Sequence, residues 1–112
     1  FFKIKRILIM KIKNLEKIHH IAIEVQSIES AISWYKSNSK CEVSYRDDTW
    51  ALLKYENISL ALVLPKSHPP HIAFVRKDAE KYGKLKMHRD GTSSVYIKDP
   101  ANNSVEILKL SD

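Results

Sequence analysis

The sequence predicts an α+β fold in which two βαβββ repeats form a concave, partly open sheet. Three observations predict it. The phrase "HIAIEV" that opens at His20 returns as "HIAFV" at His71. Each phrase is followed by a segment of helical period and then by further strand-like runs. Between the two series lies "PKSHPP" (65–70), whose three prolines neither a strand nor a helix can continue.

In the first unit, "KIHHIAIEV" (17–25) alternates. Ile21, Ile23 and Val25 point to one face, and His20, Ala22 and Glu24 to the other, as in a strand between two different surroundings. Over 27–38 the period changes. Ile28, Ala31, Ile32 and Tyr35 recur at three- and four-residue spacing, which predicts an amphipathic helix with Ser27 as its N-cap. Trp34 and Tyr35 follow the helical period and are assigned to the core. Strand-like runs at 41–46, 49–55 and 59–64 follow at hairpin distance.

In the second unit, 71–75 is a strand, 77–85 a short helix and 86–90 a brief strand before the "DGTS" turn. Strands at 94–99 and 104–110 flank "PANN", a tight turn in which Asn102 takes the left-handed conformation. Units of this size, 15–65 and 71–112, are too small to be stable alone. They are expected to pack around a shared concavity in one domain covering 15–112. Residues 1–14 form an extension, read either as an edge strand or as a frayed terminus, with Met10 as an alternative start.

Composition excludes several classes. Two glycines cannot assemble a GxGxxG turn or a P-loop. A single cysteine, Cys41, rules out an internal disulfide and a multi-cysteine zinc site, and fits a reducing, cytoplasmic setting. The net charge is +6, but Lys3, Lys5, Arg6 and Lys11 supply four of those charges and the remainder is only mildly basic. No Lys/Arg stripe interleaves with aromatics, so a nucleic-acid partner is not expected. No run reaches transmembrane length, and charge interrupts "FFKIKRILIMKIK" too often for a signal peptide. A mild positive field suits a small anionic substrate.

The stretches "HHIAIEV", "SAISWY", "PPHIAFV" and "DPANNSVEIL", in that order over roughly residues 16–110, resemble the vicinal oxygen chelate superfamily of glyoxalases, bleomycin-resistance proteins and extradiol dioxygenases. The resemblance implies the glyoxalase/bleomycin-resistance/dioxygenase fold. It also implies metal ligands on the first strand of each unit and on the last strand, which fall on His20, His71 and Glu106. "DPANN" stands where the family has an Asp-Pro-Asp-Gly-Asn turn. Glyoxalase I typically has a fourth protein ligand on the last strand of the other unit, where aligning "SLALV" with "SVEIL" places Ala61. Alanine cannot ligate, which leaves three protein ligands.

Strand alternation agrees with that assignment. His20 shares a face with Ala22, His71 with Ala73, and Glu106 faces away from Val105 and Ile107. Two imidazoles and a carboxylate suit Fe(II), Mn(II), Zn(II) or Ni(II) and leave positions open for substrate. Glu24, on the His20 face, is the candidate general base, with a solvated strand end as the plainer reading. Trp50, Tyr96 and Arg89 are candidate substrate contacts. His19 is expected on the opposite face from His20, and His68 and His88 in solvent.

The functional expectation is a small metal-dependent enzyme acting on a small, anionic, oxygen-chelating substrate as a lyase, isomerase or dioxygenase. The alternative is a metal-free small-molecule binding or resistance protein of the same fold. Open sheet edges and apolar faces further predict a homodimer.

Overall fold

The alternating run around His20 forms a strand, β1 (Ile18–Glu24), and its echo at His71 forms β5 (His71–Val75). The two lie side by side, antiparallel, at the centre of the sheet. The computed structural model describes residues 14–111. The expectations for an N-terminal edge strand and for Met10 therefore lie outside the described residues, apart from Asn14.

The remaining elements are the helix α1 (Ile28–Asn38) and the strands β2 (Glu42–Arg46), β3 (Trp50–Lys54), β4 (Ser59–Val63), β6 (Lys86–Met87), β7 (Ser93–Lys98) and β8 (Ser104–Lys109). All the strands join one sheet in the order β2-β3-β4-β1-β5-β8-β7-β6. Each unit runs outward from the centre in the same way. β4 pairs parallel with β1 and β8 parallel with β5, and each then continues through antiparallel hairpins. Because β1 and β5 are antiparallel, the units are related by an approximate two-fold axis between them. The four strands of each predicted repeat are thus present, joined into one continuous sheet.

α1 forms as its sequence dictates. The Ser27 hydroxyl accepts a hydrogen bond from the Ser30 N–H, and Glu29 sits in the first turn. At the other end the Ser39 N–H and hydroxyl both donate to the Tyr35 carbonyl, which closes the last turn. Ile28 and Ile32 face inward and pack with Ala51, Leu53 and Leu62 from β3 and β4. Full burial of a leucine such as Leu53 contributes about 2–3 kcal/mol. Tyr35 joins this core, but Trp34, assigned to it from sequence, is 59% exposed. The apolar stripe of α1 runs through Ile28, Ile32 and Tyr35, and one residue earlier the helix has already turned toward solvent.

The second unit departs from the first. The helix expected over 77–85 is a single 3-10 turn, Ala79–Tyr82. Asp78 makes no side-chain capping bond, and only Ala79 is buried, so no apolar stripe exists for a helix to bury. Gly83 ends the turn at φ +149°, where an added Cβ would stand 2.9 Å from Val95 Cγ2. The strand expected over 86–90 stops at Met87, because the His88 N–H turns back to the Thr92 carbonyl. The β7–β8 turn forms as expected. Asn102 has φ 70°, and the Asp99 carboxylate accepts from the Ala101 and Asn103 N–H groups.

Candidate metal centre

Register alone brings three side chains together. His20 is paired with Ala73 and His71 with Ala22 across the β1–β5 seam, while Ala73 is paired with Glu106 on β8. All three polar residues point to the concave face, and the small alanines between them leave space. His20, His71 and Glu106 are 6%, 7% and 4% exposed.

Their donor atoms form a tight triangle. His20 Nε2 and His71 Nε2 are 3.0 Å apart. Glu106 Oε1 lies 3.2 Å from the first and 3.1 Å from the second. Donors ~2.1 Å from one ion and ~90° apart stand ~3.0 Å from each other, against ~3.4 Å for a tetrahedral pair. The observed spacings are short enough for one ion to reach all three donors.

Hydrogen bonds outside the triangle set the rings. His71 Nδ1 lies 2.6 Å from the Pro69 carbonyl, which can only accept, so Nδ1 carries a proton and the ring is turned with Nε2 inward. His20 Nδ1 lies 2.7 Å from His19 Nδ1, and His19 can take the matching acceptor role. Burial alone would push the Glu106 carboxyl up. Hydrogen bonds from His20, His71, His88 and Ser94 outweigh it and hold the group far below the usual carboxylate range. Two imidazole nitrogens and a carboxylate oxygen converging in a buried place call for a cation among them, a proton or a metal ion. The donor set fits a divalent metal, and among the described residues these three are the group that could hold one.

The triangle lines a cavity of about 50 Å³. One wall, from the first unit, is apolar: Trp50, Leu52, Ala61 and Val63. The other is polar and carries Tyr96, whose ring meets the edge of His71 at 5.2 Å and whose hydroxyl lies 3.5 Å from His71 Nδ1. Burial, with the Glu106 charge nearby, pushes the Tyr96 phenol up, so it keeps its proton.

The other sequence candidates are placed as follows. Trp50 and Tyr96 line the cavity. Glu24 ends β1 in an exposed position and is not among the lining residues. Arg89 is largely exposed, and its guanidinium donates to the Asp47 carboxylate at 3.2 Å, bridging the two units beside the cavity. Asp47 also accepts from the Thr49 and Trp50 N–H groups and so holds the turn that presents Trp50.

Three histidines are not where alternation and loop position put them. The β1–β5 register shifts between Ile18 and His20, and this bulge brings His19 to the cavity instead of the opposite face. His68 and His88, expected in solvent, also line the cavity and are half-buried. The proline linker folds His68 over Trp50, with ring centroids 6.3 Å apart, and the turn after β6 lays His88 against Ser94. All five histidines of the chain thus border one cavity. Burial, reinforced by His88, pulls the His68 imidazole below its usual value and keeps it neutral.

The sequence matches no family model and no curated protein. The structure does match solved ones. It is similar to methylmalonyl-CoA epimerase from Mycobacterium tuberculosis, at 14% identity and TM-score 0.70 over 90% of this chain and 93% of that one. It is similar to a variant of the Streptomyces coelicolor epimerase in complex with 2-nitronate-propionyl-CoA, at 16% identity and TM-score 0.67 over 87% and 96%. It is also similar to a glyoxalase/bleomycin resistance protein/dioxygenase superfamily member from Vibrio splendidus 12B01, at 13% identity and TM-score 0.63 over 85% and 99%. The fold is the one these vicinal oxygen chelate proteins share, as the sequence motifs imply.

Proposed function

We propose that this chain is a small metal-dependent enzyme of the vicinal oxygen chelate type. His20, His71 and Glu106 would hold Fe(II), Mn(II), Zn(II) or Ni(II), and the triangle of their donor atoms is the observation that carries the reading. A bound ion of this kind supplies Lewis acidity toward two neighbouring oxygens of a substrate.

The chain's own residues then divide the work. Trp50, Leu52 and Val63 receive the apolar part of the substrate, and the protonated Tyr96 hydroxyl is placed to donate to one of its oxygens. His68, held neutral at the same cavity, is the imidazole we assign as general base in place of Glu24. A cavity this size admits a small acid or hydroxyketone, or the head of a larger molecule. Among lyase, isomerase and dioxygenase reactions we place proton transfer next to a carbonyl first, supported by the epimerases that share the fold. A second copy of the chain would cover the convex face where Ile21 and Ile72 stand paired and 38% and 39% exposed. The lone, unpaired Cys41 supports a reducing, cytoplasmic setting.

Metal content tests the reading. Protein purified without chelators or a histidine tag should carry about one equivalent of divalent metal by plasma mass spectrometry. His71→Ala should carry none, and His68→Gln should keep the metal and lose about 100-fold in rate. A wild type that stays empty after incubation with all four ions would overturn the enzyme. The apolar wall around Ala61 would then favour a metal-free binding protein of the same fold.

A further inference from the structure

The two oxygens of the Glu106 carboxylate meet different surroundings. Oε1 faces the two imidazole nitrogens, while Oε2 turns toward β7, where the Ser94 hydroxyl lies 2.7 Å away. The Ser94 hydroxyl has a single proton, and it donates that proton to Oε2. That leaves the Ser94 oxygen as the acceptor for His88 Nε2, at 2.6 Å, which must therefore carry a proton. The same Nε2 lies 3.4 Å from Oε2.

The direction of the chain is thus fixed: His88 donates to Ser94, and Ser94 donates to Glu106. Ser94 is 2% exposed, so no water competes for its hydroxyl. His88 is itself anchored, because its N–H donates to the Thr92 carbonyl and its carbonyl accepts from Gly91.

We propose that Ser94 and His88 are positioning residues that occupy Oε2, so that Glu106 serves a metal ion through Oε1 alone. The consequence lies in what remains free. A carboxylate able to pivot can bind an ion with both oxygens and consume two positions. Held by one oxygen beside two imidazoles, it would leave one position more open to a two-oxygen ligand than a carboxylate bound by both oxygens. This proposal rests on the metalloenzyme reading.

The test uses full-length wild type, Ser94→Ala, His88→Ala, Ser94→Thr and His88→Gln. Co(II) affinity is read by chelator competition, and acetohydroxamate, a two-oxygen probe, is titrated into the cobalt-loaded proteins by visible absorption. Both alanine variants should bind Co(II) about 10- to 100-fold more weakly, show an altered cobalt spectrum and lose at least about tenfold in acetohydroxamate affinity. Ser94→Thr and His88→Gln, which keep a donor, should recover part of each loss. Alanine variants that match wild type in affinity, spectrum and acetohydroxamate binding would overturn the clasp and leave the metal site standing. A wild type that binds no Co(II) would overturn both. If Ser94→Ala does not fold, the half-buried His88→Ala decides.

Discussion

Ala61 and Glu106 occupy equivalent places in the two halves of the sheet. Ala61 on β4 is paired with Ala22 of β1, and Glu106 on β8 is paired with Ala73 of β5. Ala22 and Ala73 each stand two residues after a histidine of the triangle. One half therefore supplies a carboxylate where the other supplies a methyl group.

Ala61→Glu should install a fourth donor. Metal affinity is expected to rise at least about tenfold by chelator competition, while a two-oxygen ligand binds the loaded protein more weakly. Because Ala61 is 1% exposed, the larger side chain should also cost about 1–3 kcal/mol of stability. A variant with unchanged metal affinity would place Ala61 outside the reach of the ion.

Leu53→Ala should separate fold from site. Leu53 is fully buried under α1, on the opposite face of the sheet from the triangle. Chemical denaturation should show a loss of about 2–5 kcal/mol, with the metal stoichiometry of the folded protein unchanged. Loss of metal at full stability would contradict the division of the sheet into two faces.

Asp47 should mark the acid limb of stability. Burial tends to raise its carboxyl, but the Thr49 and Trp50 N–H groups and the Tyr45 hydroxyl pull it down to about 2. A folded value below the unfolded one adds stability above the ordinary 3.8, and that stability is lost as pH falls from there toward about 2. Urea midpoints should fall over this window in wild type and fall less in Asp47→Asn, which starts lower. Parallel curves for the two proteins would remove Asp47 from the acid response.

Ile72→Lys should test the assembly. A lysine in the exposed Ile21–Ile72 pair would put a charge into any contact made by that face. Sedimentation should find wild type as a dimer and the variant as a monomer of unchanged helix and strand content. A wild-type monomer would end the proposal.

Much of the fold was legible because the sequence writes its unit twice. The histidine phrase, the helical period over 27–38 and the Pro-rich break each correspond to an element or a boundary, and alternation put His20, His71 and Glu106 on one face. The second helix does not form because "KDAEKYGKL" buries only Ala79, and Tyr82, one turn on, stays 38% exposed. His19, His68, His88 and Ser94 were not legible as site residues. A bulge brought in His19, and the path of the linker and a turn brought in His68 and His88. Ser94 follows from the register of β7, in which Tyr96 is paired with Glu106 and Ser94 with Leu108. Each depends on contacts between distant segments, which local periodicity does not encode.

The approximate two-fold relation of the halves has a stereochemical consequence. Were both halves alike, a chelating molecule could enter in either of two senses related by a half-turn, and the protein would not tell them apart. Glu106 on one flank, and Ala61 with Trp50, Leu52 and Val63 on the other, remove that equivalence. The cavity has two unlike sides, one greasy and one hydrogen-bonding. An unsymmetrical two-oxygen ligand would therefore have one preferred sense of entry, set by the unequal flanks.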